Sequence, residues 1–277
     1  MTTISLLLII LNFGISWKGF RDPVFFERFK FSVERLLVHK EYYRLITAGF
    51  LHTGWTHLVW NLVSFYAFSG SVELLLSPLQ FLLVYFCCII GGYLFALFVH
   101  RHHSDYSSVG ASGGISGIIF GAIALFPGIS VGFFFLPVSI PGWIFGLVYV
   151  LYSIYGMRNN RDGIGHEAHL AGSLIGMLMA IAMFPASLSQ NYVVILLIAV
   201  PMMVFMFITI TRPYTLLLDR RSKANSRYYT VEDRYNAQKA EMQKEMDRIL
   251  EKISRKGMNS LTKKEKQLLK DYSKTVR

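Results

Sequence analysis

Val109-Gly110-Ala111-Ser112-Gly113-Gly114-Ile115-Ser116-Gly117 opens an uncharged apolar run that reaches Phe126-Pro127. Glycines around Ser112 keep a hydroxyl open to a bulky reacting group where an apolar helix begins. Further along, another apolar stretch carries Ala168-His169-Leu170-Ala171-Gly172. A serine and a histidine in sequence of this kind are costly to embed in lipid unless they act together. The pair therefore marks a candidate active site inside a membrane.

Composition supports a membrane setting. Hydrophobic residues make up 53% of the 277-residue chain and charged residues 16%, against about 25% charged in soluble proteins. Of the 28 Lys and Arg, 18 follow Thr211, seven lie between Lys18 and Arg44, and Arg101, Arg158 and Arg161 complete the set. The stretch 45–211 is thus a series of long apolar runs, the mark of a polytopic membrane domain. The segment from Ile4 to Ile15 has neither a basic leader nor a small-residue cleavage site, so a retained first span is expected there. Cys87 and Cys88 are adjacent within an apolar run and read as packing residues, not a disulfide or redox pair. The net charge of +11 points to attraction between the tail and anionic lipid and not to nucleic acid.

Seven spans are expected, over 3–16, 54–76, 78–100, 112–127, 142–157, 166–185 and 192–211. The fourth is short for a bilayer core of about 30 Å. Ser112 then lies recessed at a helix start, near free backbone N–H groups and the positive end of the helix dipole. Gly113, Gly117 and Gly121 repeat every four residues, as do Gly172 and Gly176. Such faces let helix backbones approach closely. If these two meet, they bring Ser112 and His169 together. The aromatic loop from Trp17 to Thr47 is expected to be a structured interfacial element. Beyond Arg212 the chain turns basic. A stripe of Met242, Met246, Ile249, Leu250 and Ile253 ends near Gly257, and Thr262-Lys263-Lys264-Glu265 fits a capping box for a second helix carrying Leu268, Leu269 and Tyr272.

Serine needs a base to become a nucleophile, and histidine is the usual one. The tetrahedral intermediate then needs donors for its oxyanion. His57 and Asn61, four apart on one helical face of the second span, are polar where lipid-facing residues are apolar. His52 and His166 are expected to hydrogen-bond around the site. His100, His102 and His103 read as a solvated loop cluster. His166-Glu167-Ala168-His169 looks zinc-like at first glance, but its histidines are three apart, whereas HExxH places them four apart on one face.

These residues also carry a resemblance. His57 with Asn61, Gly110-Ala111-Ser112-Gly113 and Ala168-His169-Leu170-Ala171-Gly172 resemble the HxxxN, GxSG and AHxxG elements of the rhomboid intramembrane serine proteases. Tyr43-Arg44, Glu73 and the long first loop also fit that family. The resemblance implies a Ser–His dyad with Ser112 as nucleophile and His169 as general base. It implies an oxyanion hole from His57, Asn61 and the Ser112 N–H, with Gly110, Gly113, Gly172, His52 and Ser116 in support and no metal or cofactor. Substrates would be membrane proteins cut in or beside a transmembrane helix within the lipid bilayer. Gly114-Ile115-Ser116-Gly117 is a second GxSG, so Ser116 is an alternative nucleophile. Some family members have an aromatic four residues after the nucleophile, beneath the histidine. Ser116 has Phe120 at that offset, whereas Ser112 has Ser116. A non-catalytic rhomboid-like scaffold that binds transmembrane helices is the alternative function.

The expected architecture is all-α: a polytopic membrane helical bundle with a rhomboid-like six-helix core, a seventh transmembrane helix and a small C-terminal helical hairpin. Its parts are a catalytic membrane domain over 1–190, an added helix over 191–212 and a basic tail over 213–277. The expected location is a bacterial inner membrane. Seven spans put every Lys and Arg on the side to which Ser112 opens. The positive-inside rule assigns that side to the cytoplasm, whereas bacterial relatives are expected to open outward. An overridden rule, an inward-facing site and a different span count are the three ways to reconcile the two.

Overall fold

A computed structural model describes residues 3–133, 136–159, 165–211, 244–255, 257–262, 265–266 and 268–269. The chain divides into two compact units, Met1–Ala224 and Asn225–Arg277.

The first unit is helical. Helix α1 (Thr3–Arg21) runs past the expected end of the first span, until Asp22-Pro23 starts α2 (Pro23–Phe29). The Asp22 side chain caps α2 by accepting from the Phe25 N–H at 2.9 Å. A short strand β1 (Phe31–Ser32), α3 (Val33–Leu37), α4 (Arg44–Thr47) and a 3-10 turn (Ala48–Phe50) complete the first loop. That loop is structured, as its aromatic content implies. Arg44, only 4% exposed, pins it. The guanidinium lies 2.6 Å from Glu41 and donates to the carbonyls of Glu27 and Lys30 at 2.9 and 2.7 Å.

Six longer helices follow: α5 (Trp55–Glu73), α6 (Pro78–Val99), α7 (Ser112–Leu125), α8 (Gly142–Asn159), α9 (His166–Met183) and α10 (Ala186–Thr211). Strand β2 (Ser107–Ser108) pairs antiparallel with β1, and β3 (Ser130–Phe133) forms a hairpin with β4 (Leu136–Pro141), which the loop expected between the fourth and fifth spans did not anticipate. Among the described residues, Ile4–Arg21, Pro78–Val99, His166–Met183 and Ala186–Thr211 are long and apolar enough to cross a membrane, and Ser112–Leu125 and Gly142–Met157 are shorter apolar helices. The chain is an integral, multi-pass membrane protein.

Helix α7 sits at the centre, buried on every face from Gly113 to Ala124, as a helix apolar all round must be. Its closest neighbour is α9, and the two glycine faces meet. A Cβ on Gly172 would collide with the Gly113 carbonyl, and one on Gly176 with that of Gly117. Helix α10 bends at Asn191, whose side-chain amide donates to the Ala124 and Leu125 carbonyls at 2.9 and 3.2 Å. It thereby satisfies the end of the short α7, which has no intrahelical donors for them. Helix α1 binds through polar contacts, with Glu73 accepting from the Ser5 N–H at 2.8 Å and Asn12 donating to Tyr85 Oη at 3.2 Å.

The second unit holds helix α11 over 244–255. Met246 and Ile249 pack with Leu261, and Ile253, Leu268 and Leu269 flank them. Leu250, counted in the sequence stripe, is 53% exposed instead. The capping box forms as expected: the Thr262 N–H donates to Glu265 at 2.7 Å and the Glu265 N–H to Thr262 Oγ1 at 3.3 Å. Lys252 adds an ion pair at 2.8 Å, and these contacts draw the Glu265 carboxyl down to about 2. Met242 and Tyr272 lie outside the described residues.

Candidate active site

Ser112 is the first residue of α7. Two residues earlier Gly110 adopts φ +139°, a conformation that favours glycine. Its N–H donates to the Ala48 carbonyl at 3.0 Å, and Tyr93 Oη donates to its carbonyl at 3.1 Å. Glycine is also required for space, since a Cβ there would meet the His57 ring at 3.1 Å and Ser112 Oγ at 3.3 Å. His57 and Ser112 therefore border the same point.

From the facing first turn of α9, His169 Nε2 comes within 2.5 Å of Ser112 Oγ. The contact follows from the glycine interface, because Gly113 and Gly172 let the two helix starts approach. A cavity of about 620 Å³ opens onto both residues and is also bordered by His57, Trp55, Tyr93 and Lys30.

Ser116 sits one turn deeper, 2% exposed. Its hydroxyl faces the carbonyls of Gly113 at 3.1 Å and His169 at 3.2 Å. Of the two GxSG serines, only Ser112 has a hydrogen bond to the His169 ring among the contacts described.

Tyr149 was not legible as a site residue. It comes from α8, its ring 6.1 Å from that of His169 with planes 24° apart. An aromatic thus lies by the histidine although the position four after Ser112 is a serine. In the sequence Tyr149 is one aromatic among many in an apolar run, and only the packing of α8 against α9 singles it out.

His57 and Asn61 lie along one face of α5. Thr53 Oγ1 is 3.2 Å from His57 Nδ1, and Asn61 Nδ2 donates to the His57 carbonyl at 2.9 Å. His52 is fully buried, its ring 4.9 Å from that of His57. Ser16 gives its proton to the Phe50 carbonyl at 2.9 Å, so its oxygen accepts from His52 Nδ1 at 2.8 Å. Burial first, and the neighbouring His57 second, hold the His52 imidazole down to about 3, so it stays neutral. His166 is buried against Tyr152 and His169, with ring centroids 5.2 and 6.0 Å away.

The expectation of a solvated histidine cluster at 100–103 is corrected at His100, whereas His102 and His103 are half-buried. His100 is 6% exposed and bonded through Nε2 to Glu167 Oε1 at 3.1 Å. It caps α6 and faces inward, because a carboxylate buried on α9 offers it a partner. Spacing along the chain carries no trace of a pairing across 67 residues.

Comparison with known proteins gives two family matches. A model of the rhomboid domain matches residues 39–186, and a family of unknown function (DUF6576) matches residues 229–275. The chain is 29% identical over 157 residues to the mitochondrial Rhomboid protein 1 of Saccharomyces cerevisiae, covering 54% of this chain and 45% of that protein. It is 26% identical over 189 residues to the mitochondrial RHOMBOID-like protein 12 of Arabidopsis thaliana, covering 62% and 55%. To the rhomboid protease GluP of Bacillus subtilis it is 33% identical over 147 residues, covering 53% and 27%. The chain spans about half the length of the mitochondrial relatives, and less of GluP.

Proposed function

Since the chain belongs to the rhomboid family, we propose that it is an intramembrane serine endopeptidase. It hydrolyses peptide bonds in or beside the transmembrane segments of other membrane proteins. The observation that carries this reading is the 2.5 Å approach of His169 Nε2 to Ser112 Oγ, on a cavity of about 620 Å³ that both residues border.

His169 takes the Ser112 proton as Oγ attacks the scissile carbonyl. The oxyanion is met by the Ser112 N–H, one of the amides at a helix start without an intrahelical partner. His57 and Asn61 supply further donors. In this role Nδ1 of His57 accepts from the Thr53 hydroxyl, 3.2 Å away, and the ring carries its proton on Nε2, beside Gly110. Asn61 spends one N–H on the His57 carbonyl and keeps the other for the oxyanion. Collapse breaks the peptide C–N bond, His169 returns the proton to the leaving amine, and water hydrolyses the acyl-enzyme. This chemistry needs neither metal nor organic cofactor.

Ser116 is a support residue in this reading, its hydroxyl spent on the Gly113 and His169 carbonyls. We assign residues 1–190 to the catalytic membrane domain, 191–212 to an added transmembrane helix and 213–277 to a basic tail. We place the chain in a bacterial plasma membrane, as the Gly110-Ala111-Ser112-Gly113 pattern supports. Cleavage of a transmembrane reporter by wild type, S112A, H169A and S116A tests the proposal. Cleavage is expected to vanish in the first two variants and to persist in S116A. Cleavage surviving in S112A would overturn it.

A further inference from the structure

Glu167 is a buried carboxylate that the dyad chemistry does not use. It is 5% exposed, lies in the first turn of α9 and stands two residues before His169. Its Oε1 accepts from two donors, both of which precede Ser112 in the chain. One is His100 Nε2 at 3.1 Å, from the cap of α6. The other is the Tyr106 hydroxyl, from the loop between α6 and α7. The two donors are themselves locked together, since the His100 ring stacks on Tyr106 with centroids 3.6 Å apart and planes 7° apart.

From Tyr106 the support runs to the nucleophile. The Val33 N–H donates to the Tyr106 carbonyl at 3.2 Å, and Phe31 and Ser32 of β1 pair with Ser108 and Ser107. Phe31 stacks on Tyr93 at 5.0 Å, and Tyr93 holds the Gly110 carbonyl. On the other side, a Cβ on Gly165, the residue before α9, would lie 3.1 Å from Ser108 Oγ and 3.7 Å from Tyr106 Oη. The strip that leads into Ser112 is thus laid directly against the helix start that bears His169. Glu167 is where the two are bonded.

An ionised carboxylate in such a place is costly unless its hydrogen bonds are made, and those bonds are strong and directional when they are. Strength and direction are what a two-residue dyad lacks, because no third carboxylate is expected to orient its base. We infer that Glu167 is a positioning residue. By bonding Tyr106 and His100 it holds the loop before Ser112 in register with the turn bearing His169, and so fixes the Ser112–His169 distance. The inference rests on the dyad reading above and adds a residue to it.

The test uses full-length protein in detergent and in vesicles, with three readouts: kcat and KM on a transmembrane reporter, the rate of Ser112 acylation by a fluorophosphonate probe, and thermal unfolding. Glu167→Ala is expected to lower kcat and the probe rate by about 10²-fold, the scale of a small misplacement of reacting groups, with KM little changed. Glu167→Gln keeps an oxygen that accepts both bonds and should recover most of that loss. Tyr106→Phe keeps the stacked ring and removes one O–H, so it guards against misfolding; a several-fold loss in kcat and probe rate is expected. Folded E167A or Y106F that acylates at the wild-type rate would overturn the inference. So would E167Q as impaired as E167A, since charge and not the bonded geometry would then matter. Undiminished labelling in S112A would instead sink the dyad reading.

Discussion

At the scale of single residues, the site consists of polar groups whose hydrogen bonds fix which atoms are free to react. Ser116 is committed to carbonyls, His52 to Ser16, and Glu167 to His100 and Tyr106, whereas Ser112 faces an imidazole. Asn61 bonds its own helix with one N–H. Replacing it by alanine therefore removes the other as an oxyanion donor with little effect on folding. Asn61→Ala is expected to lower kcat by about 10²-fold, the usual cost of one such donor, while thermal unfolding stays near wild type; an unchanged kcat would remove Asn61 from the oxyanion hole. That Ser112, His169 and His57 border one cavity was legible in the sequence, because a polar residue in an apolar helix is conspicuous. Tyr149, Tyr106 and the inward turn of His100 were not, since aromatics and loop histidines carry no signal until the helices that bury them are packed.

At the scale of elements, the interface of α7 with α9 decides whether the dyad forms. Helix α7 has 14 residues, about 21 Å at 1.5 Å per residue, and glycines along it let α9 approach at backbone contact. The two glycine repeats announced this contact, and the structure has the two faces meeting at Gly113–Gly172 and Gly117–Gly176. Gly172→Val would push a branched side chain into the Gly113 carbonyl, a backbone group that cannot swing aside. It is expected to destabilise the fold by about 1–3 kcal/mol and to abolish cleavage, read by heat unfolding in detergent and by reporter assay. Wild-type activity in that variant would mean that the helices are not held by this contact. The extension of α1 to Arg21, the β3–β4 hairpin and the clamp of Asn191 on the end of α7 were not legible. Each depends on partners distant in sequence, and an apolar run gives only its own length.

At the scale of the whole molecule, charge is sorted to one end of the bundle. The connecting segments 74–77, 126–141 and 184–191 contain no Lys or Arg, whereas the segment from Lys18 to Arg44 contains seven. Lys30 of that segment borders the same cavity as Ser112, so the basic end is the end to which the site opens. The positive-inside rule then predicts that this end faces the cytoplasm. Single cysteines at positions 128 and 104, in a chain lacking Cys87 and Cys88, check this with a membrane-impermeant thiol reagent. Gly128 has open space around it and Ser104 is exposed, and labelling from outside is expected at 128 and absent at 104 until the membrane is opened. The reverse pattern would mean that the site opens outward, against the distribution of charge. The central claim, that Ser112 is the nucleophile and His169 activates it, is tested most directly by locating the adduct of a fluorophosphonate probe by peptide mass spectrometry. The account predicts an adduct on Ser112 that is lost in His169→Ala. An adduct on Ser116, or one on Ser112 that forms as fast without His169, would contradict it.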